Sequence, residues 1–214
     1  MRKIMFDEHF GLQSATIQRR KTKTRRIERI PKEMIEFPNA EYRFGPYKDR
    51  VIPVMRYNNG VLVHNTRIYP KYRIGERLAI AQSYKELWED EYLPTKIEDE
   101  VIRMVQERHP GCTNKMYVLA ELMPHHIQIT DIRIERLQDI SDEDCLAEGI
   151  IETPLNDHIP GFGKVAYEFK QPVGKRTIYP TPREAFHALI NKICGGDTWI
   201  LNPWATVYSY KRID

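Results

Sequence analysis

The run from Met123 to Ile150, MPHHIQITDIRIERLQDISDEDCLAEGI, constrains this chain more than any other stretch. Ile127, Ile129, Ile132 and Ile134 are β-branched, and neither Pro nor Gly interrupts His125 to Leu137, so this half reads as a long strand. Ser141 then offers an N-cap with Asp144 three residues on, and Asp142, Glu143 and Asp144 suit the positive end of a helix dipole. Gly149 stands where a helix of this length needs its C′ residue. Glu148 breaks the pattern. An acid in the last turn faces the negative end of the dipole, where Lys or Arg is favoured. A solvated Glu on a frayed end and a site residue are both compatible with that placement.

Around this framework the elements follow in order. Phe6 to Gln18 reads as a short helix that leads into Arg19–Arg26, RRKTKTRR, the densest charge cluster in the chain. Ile30 to Tyr47 carries Pro31, Pro38 and Pro46 and reads as an extended loop. Val51–Tyr57 and Val61–Tyr69 form a hairpin around Asn58-Asn59-Gly60. Arg77–Ser83 is a strand, with Leu78 and Ile80 on one face and Ala79 and Ala81 on the other. Thr95 opens a packing helix that His109-Pro110-Gly111 ends, and Lys115–Leu122 reads as a strand. Glu152 to Gly174 is polar and irregular, although Lys164–Lys170 has strand character. Thr181 caps a further helix with Pro182 at N1 and Glu184 at the capping-box position; Phe186, Leu189, Ile190 and Ile193 form its buried stripe. A strand from Ala205 to Ile213 closes the chain. Short strands with helices at the margins fit an α+β fold, a mixed β-barrel with flanking helices, better than a doubly wound sheet.

Charge is unevenly spread. Residues 1–75 hold 17 Lys and Arg against 7 Asp and Glu, whereas residues 76–214 hold 16 against 23. The basic half is where a phosphate-bearing partner would bind. Three readings compete for RRKTKTRR: a solvated basic patch, a loop that contacts phosphates, and a tuned lysine. Lys21 lies amid five other cations, which disfavour its charged form, and a Thr22 or Thr24 hydroxyl beside it makes a nucleophile–base pair conceivable. Trp199 and Trp204 could stack on a base or anchor a core. Cys112, Cys145 and Cys194 are odd in number without CxxC spacing, so neither a disulfide framework nor a zinc site is expected. His125-His126 are adjacent, and adjacent strand residues point to opposite faces, so no metal is expected there either. No P-loop, GxGxxG, HExxH or GxSxG occurs, no cofactor is expected, and no apolar run is long enough to span a membrane. A cytoplasmic protein is the expectation.

RRKTKTRR, YRIGERLAIAQSY, the 123–150 stretch, TPREAFHALINKI and WILNPWATVYSYKRI occur in that order. Together they resemble the ASCH-domain proteins of the PUA-like superfamily, in particular the larger versions found in phages and prophages. The resemblance implies a single domain over residues 1–214: a small closed β-barrel with flanking helices and extra material around 31–70, 85–112 and 151–180. It also implies a basic cleft that receives RNA, a nucleoside or a modified base. Arg19, Arg20, Lys23, Arg25 and Arg26 would then lie on phosphates, with Trp199 and Trp204 as a stacking platform. The family's motif, approximately Gly-Arg-Lys-Thr-x-Thr-x-Arg, falls on Arg19–Arg26, with Arg19 in place of the Gly. One type of small bacterial member is an amidohydrolase that deacylates acetylated cytidine with a Lys, a Thr and a Glu. By comparison these are Lys21, Thr24 and Glu148. The leading expectations are therefore a nucleic-acid or nucleoside-binding module and an amidohydrolase on an acylated nucleoside; behind them stand a nuclease, for which no dedicated acid cluster or His pair is seen, and a protein–protein interaction domain with a vestigial site.

Overall fold

A computed structural model describes residues 1–27, 41–44, 54–58, 61–65, 69–89, 95–171 and 176–214. Its strands are β1 (Arg2–Ile4), β2 (Lys23–Ile27), β3 (Glu41–Phe44), β4 (Val54–Asn58), β5 (Val61–Asn65), β6 (Arg77–Ile80), β7 (His126–Arg136), β8 (Ile151–Pro154), β9 (Val165–Glu168) and β10 (Trp204–Arg212). Its helices are α1 (Leu12–Ile17), α2 (Tyr84–Trp88), α3 (Thr95–Gln106), α4 (Asp142–Ala147), α5 (Pro182–Cys194) and α6 (Thr198–Leu201).

The fold is α+β, built on a mixed five-stranded sheet of order β1-β6-β7-β10-β2. β7 is its spine: it pairs antiparallel with β10 from Arg136 back to Ile127, and with β6 at its N-terminal end. The isoleucine pattern delivers this, because Ile127, Ile129, Ile132 and Ile134 are all buried while Gln128 and Asp131 are not. β1 is the parallel edge strand beside β6, and β2 is the antiparallel edge beside β10. The expected barrel does not close through backbone ladders among the described residues. The two edges are instead bridged by a side chain: Arg26 on β2 donates from Nη2 to the Met5 carbonyl just after β1, 2.7 Å away.

β6 is buried on both faces and divides the interior. Leu78 and Ile80 join the main core with Ile127, Ile129, Phe186 and Leu189. Ala79 and Ala81 face a second core of Tyr84, Leu87, Val101 and Met104 from α2 and α3. Small side chains on that face let two helices approach the strand closely. Two of the expected caps form: Ser141 accepts from Asp144 N at α4, and Thr181 accepts from Glu184 N at α5.

Other expectations change. Lys115–Leu122 is not a strand but a pair of 3₁₀ turns, Lys115–Tyr117 and Ala120–Leu122. Its backbone groups find side chains instead of a ladder: Asn114 caps Met116 N, the Tyr84 hydroxyl takes Leu119 N, and Lys3 Nζ donates to the Met116 and Val118 carbonyls. The stretch expected to be a loop contains β3, and β3, β4 and β5 form a small antiparallel sheet that includes the expected hairpin. The rest of 28–53 and the Asn59-Gly60 turn lie outside the described residues. β8 was not expected; it pairs with β9 inside the irregular 151–180 segment. Ile193 is 38% exposed, so the buried stripe of α5 stops at Ile190. No helix among the described residues is long and apolar enough to cross a membrane.

Candidate active site

The C-terminus of α4 meets the start of the basic cluster. Thr22 N donates to Ala147 O at 2.9 Å, and Lys21 Nζ donates to Glu148 O at 2.7 Å. A helix end presents unsatisfied carbonyls and partial negative charge, and here a lysine ammonium supplies the cation that the helix itself lacks. Gly149 makes the approach possible. Its φ is 109°, and a Cβ there would lie 3.2 Å from Leu12 Cδ2 and 3.6 Å from Lys21 Cδ. The oddly placed acid is thereby explained: Glu148 Oε2 accepts from the same Nζ at 2.6 Å, and the Lys23 carbonyl takes the third donor at 2.7 Å. Three acceptors around Nζ match the three N–H groups of an ammonium. Both side chains are buried, Lys21 to 1% and Glu148 to 6% exposure.

Around this pair lies a network of alternating charge. Arg25, also buried, donates from Nη1 to Glu148 Oε1 at 3.0 Å, and from Nη2 to Asp144 Oδ2 at 2.8 Å and to Glu135 Oε1. Arg133 Nη2 reaches Asp144 Oδ2 at 3.0 Å, and Lys23 Nζ reaches Asp144 Oδ1. Burial alone would raise the Asp144 carboxyl, but hydrogen bonds and charge from Lys23 and Arg25 overcome it and hold the group at about 2. Lys21 also moves down, but there burial wins. Its proton is held less tightly than on an ordinary lysine, first because of burial; Glu148 opposes this, and Arg26 and Arg25 add to it. The expectation that neighbouring cations tune this lysine therefore gets the direction right and the main cause wrong: desolvation leads.

Lys21, Thr24, Arg25, Arg26 and Glu148 line one side of a cavity of about 300 Å³, at the lower end of ligand-pocket sizes. Apart from Asp7, the other walls are mainly apolar: Phe6 and Leu12 from the N-terminal segment, and Phe186, Leu189, Ile190 and Ile193 from α5. The Thr24 hydroxyl makes no hydrogen bond among the described residues. The cavity thus pairs an uncommitted hydroxyl and a buried Lys–Glu pair with a hydrophobic wall. Ile193 belongs to this wall, which accounts for its exposure at the end of an otherwise buried stripe.

The remaining expected site residues are elsewhere or otherwise engaged. Arg19 and Arg20 are exposed; Arg19 donates to the Asp214 carbonyl at 2.6 Å and Arg20 to the Gln18 side chain. Lys23 and Arg25 are committed to carboxylates. Arg26 lines the cavity with its guanidinium 6.0 Å from the Phe6 ring centroid. Trp204 is buried, with Arg136 4.6 Å from its ring centroid and Tyr42 edge-on at 4.8 Å. Trp199 stacks on His187 with centroids 5.1 Å apart. Neither tryptophan lines the cavity. His125 and His126 both approach Asp214, at 3.5 and 3.6 Å, because His125 precedes the regular part of the strand and escapes its alternation. No group of three or more His, Cys, Asp or Glu among the described residues is placed to hold a metal ion. Sequence reasoning missed Glu135, Asp144 and the α5 wall; only the overlong apolar stripe of α5 hinted at the last.

Comparison with protein-family profiles, with curated proteins and with solved structures finds no match for this chain.

Proposed function

We propose that this chain is an amidohydrolase that cleaves an acyl group from the exocyclic amine of a nucleobase, within the PUA-like barrel class whose ASCH members its motifs resemble. One observation carries the reading. Lys21, Thr24 and Glu148, each taken from a separate motif position, line the same largely apolar cavity, with Lys21 and Glu148 in contact. The bridging of β1 and β2 through Arg26 and Met5 supports a barrel-like enclosure even without a closing ladder.

In the reaction, the Thr24 hydroxyl oxygen attacks the amide carbonyl while Lys21, in its neutral form, takes the hydroxyl proton. The C–N bond breaks, Lys21 passes the proton it took from Thr24 to the leaving amine, and the acyl group rests on Thr24 as an ester. Water then hydrolyses that ester, releasing a carboxylic acid and restoring the hydroxyl. Burial favours the neutral form of Lys21 that this step needs, against the pull of Glu148. The apolar wall takes the base or its acyl group and excludes water.

Binding without turnover is the second reading, and the exposed Arg19 and Arg20 favour it. Hydrolysis of acetylated cytidine, followed by chromatography, separates the two. Turnover by the wild type that falls at least ~100-fold in Thr24→Val and in Lys21→Met, with both variants folded, supports the hydrolase. Absence of wild-type turnover together with salt-sensitive RNA binding supports the binding module.

A further inference from the structure

A second cavity, of about 220 Å³, opens on the seam between the sheet edges and shares Met5, Arg26 and Ile27 with the first. Lys3, Lys71, Tyr72 and Tyr208 complete its lining. Its charged residues are Lys3, Arg26 and Lys71, and none of them is paired with a carboxylate among the described residues. This contrasts with the first cavity, where Lys21 and Arg25 are paired with acids. Lys3 and Arg26 each donate to backbone carbonyls, which orients their side chains without neutralising them. Lys71 Nζ makes no hydrogen bond among the described residues and stands 5.4 Å from the Tyr72 ring centroid. The backbone there is fixed, since Lys71 N donates to the buried Tyr208 hydroxyl at 2.7 Å.

We infer that this seam cavity is a phosphate subsite, and that the ligand of the adjoining cavity is a nucleotide rather than a free nucleoside. Like charges gathered around one small cavity repel one another, and a bound phosphate relieves that repulsion while accepting charge-assisted hydrogen bonds. Lys71 registers the repulsion: burial, then the charges of Arg26 and Arg2, hold its proton less tightly than usual. Arg26 lies in both linings, so a base in the first cavity and a phosphate in the second would touch it together. The identity of the base half rests on the hydrolase reading above; the phosphate half does not.

The test compares cytidine, cytidine 5′-monophosphate and inorganic phosphate by calorimetry at low salt, on the whole chain and on Lys71→Ala and Lys71→Arg. The monophosphate should bind the wild type at least about tenfold more tightly than cytidine. That ratio should fall toward one in Lys71→Ala and be largely kept in Lys71→Arg, and inorganic phosphate should compete with the monophosphate. Equal binding of nucleoside and monophosphate, no detectable monophosphate binding, or a ratio untouched by Lys71→Ala overturns the subsite. A short ribo-oligonucleotide with an internal cytidine distinguishes the phosphate sources: a preference kept for it identifies a strand phosphodiester, and a preference confined to the monophosphate identifies a mononucleotide. Turnover of acetylcytidine and of its 5′-monophosphate separates the two proposals. Hydrolysis at equal efficiency for both, with no binding preference, removes the subsite and leaves the hydrolase. A Lys71-dependent binding preference without hydrolysis of either leaves the subsite and removes the hydrolase.

Discussion

Lys21 Nζ and Glu148 Oε2 lie 2.6 Å apart although 127 positions separate them in the chain, and both are shielded from solvent. Removing one partner of such a pair strands the other as a buried charge, which costs roughly 3–5 kcal/mol. Glu148→Gln also weakens the hold on Arg25, whereas Lys21→Met leaves Arg25 to occupy Glu148. Each single variant should therefore lower unfolding stability by about 3 kcal/mol, and the double variant by clearly less than the sum. Denaturant unfolding of the four proteins measures this. Strict additivity would mean that the pair contributes nothing as a pair.

Catalytic pH dependence reports the same lysine from another side. If Lys21 must lose its proton to act, kcat/KM rises with pH, with its inflection below the value of an ordinary lysine, about 10.4. Glu148 favours the protonated form and Arg26 disfavours it. Residual activity of Glu148→Gln should thus inflect at lower pH than wild type, and that of Arg26→Gln at higher pH. A profile that does not move in either variant would assign the proton transfer to another group.

The motif positions were legible because local chemistry marks them: a helix with an acid at its wrong end, a glycine just beyond it, a lysine in a cationic run. The role of Arg25 was not. A basic run read along the chain looks free for phosphates, and nothing local announces that Glu135 and Asp144 fold back onto Arg25 from more than a hundred residues away. The strand expected at Lys115–Leu122 fails for a related reason, since Lys3, from the far end of the chain, takes two of its carbonyls. β8 escaped notice because it is four residues long and ends in Pro154, which reads as a breaker.

Asp144 makes stability fall in acid. Its carboxyl sits at about 2 in the folded protein, against about 3.9 in an unfolded chain. A depressed folded value means that the stabilisation is fully present above about pH 4 and drains away as pH falls toward 2. The contribution is about 2 kcal/mol at most, and Asp144→Asn should flatten the stability profile over that window. Urea unfolding at pH 2.5, 3.5 and 5 tests it; parallel slopes for wild type and variant would show that other carboxylates dominate.

Arg19 has φ 63°, a left-handed conformation that costs an L-residue roughly 1–2 kcal/mol. The backbone there adopts the region that Gly favours. Arg19→Gly relieves the strain but adds freedom to the unfolded chain, so it should be neutral within about 0.5 kcal/mol. Arg19→Val loses the same bond to the Asp214 carbonyl and keeps the strain, and should be about 1–2 kcal/mol less stable than the glycine variant. Equal stability of the two would mean that the loop relaxes out of this conformation.

Trp204 is enclosed by Tyr42 and Arg136, yet its indole Nε1 is buried without a hydrogen-bond partner among the described residues. An unsatisfied buried donor costs about 1–3 kcal/mol, so the ring contributes through packing against that penalty. Trp204→Phe deletes the donor and keeps an aromatic ring against Arg136, and should change stability by no more than about 1 kcal/mol. Trp204→Ala empties the site and should cost about 3–5 kcal/mol. At 7% exposure the ring offers little face to a nucleobase. Any quenching of tryptophan emission by added RNA should therefore persist in Trp204→Phe; its disappearance there would give Trp204 the stacking role that its burial argues against.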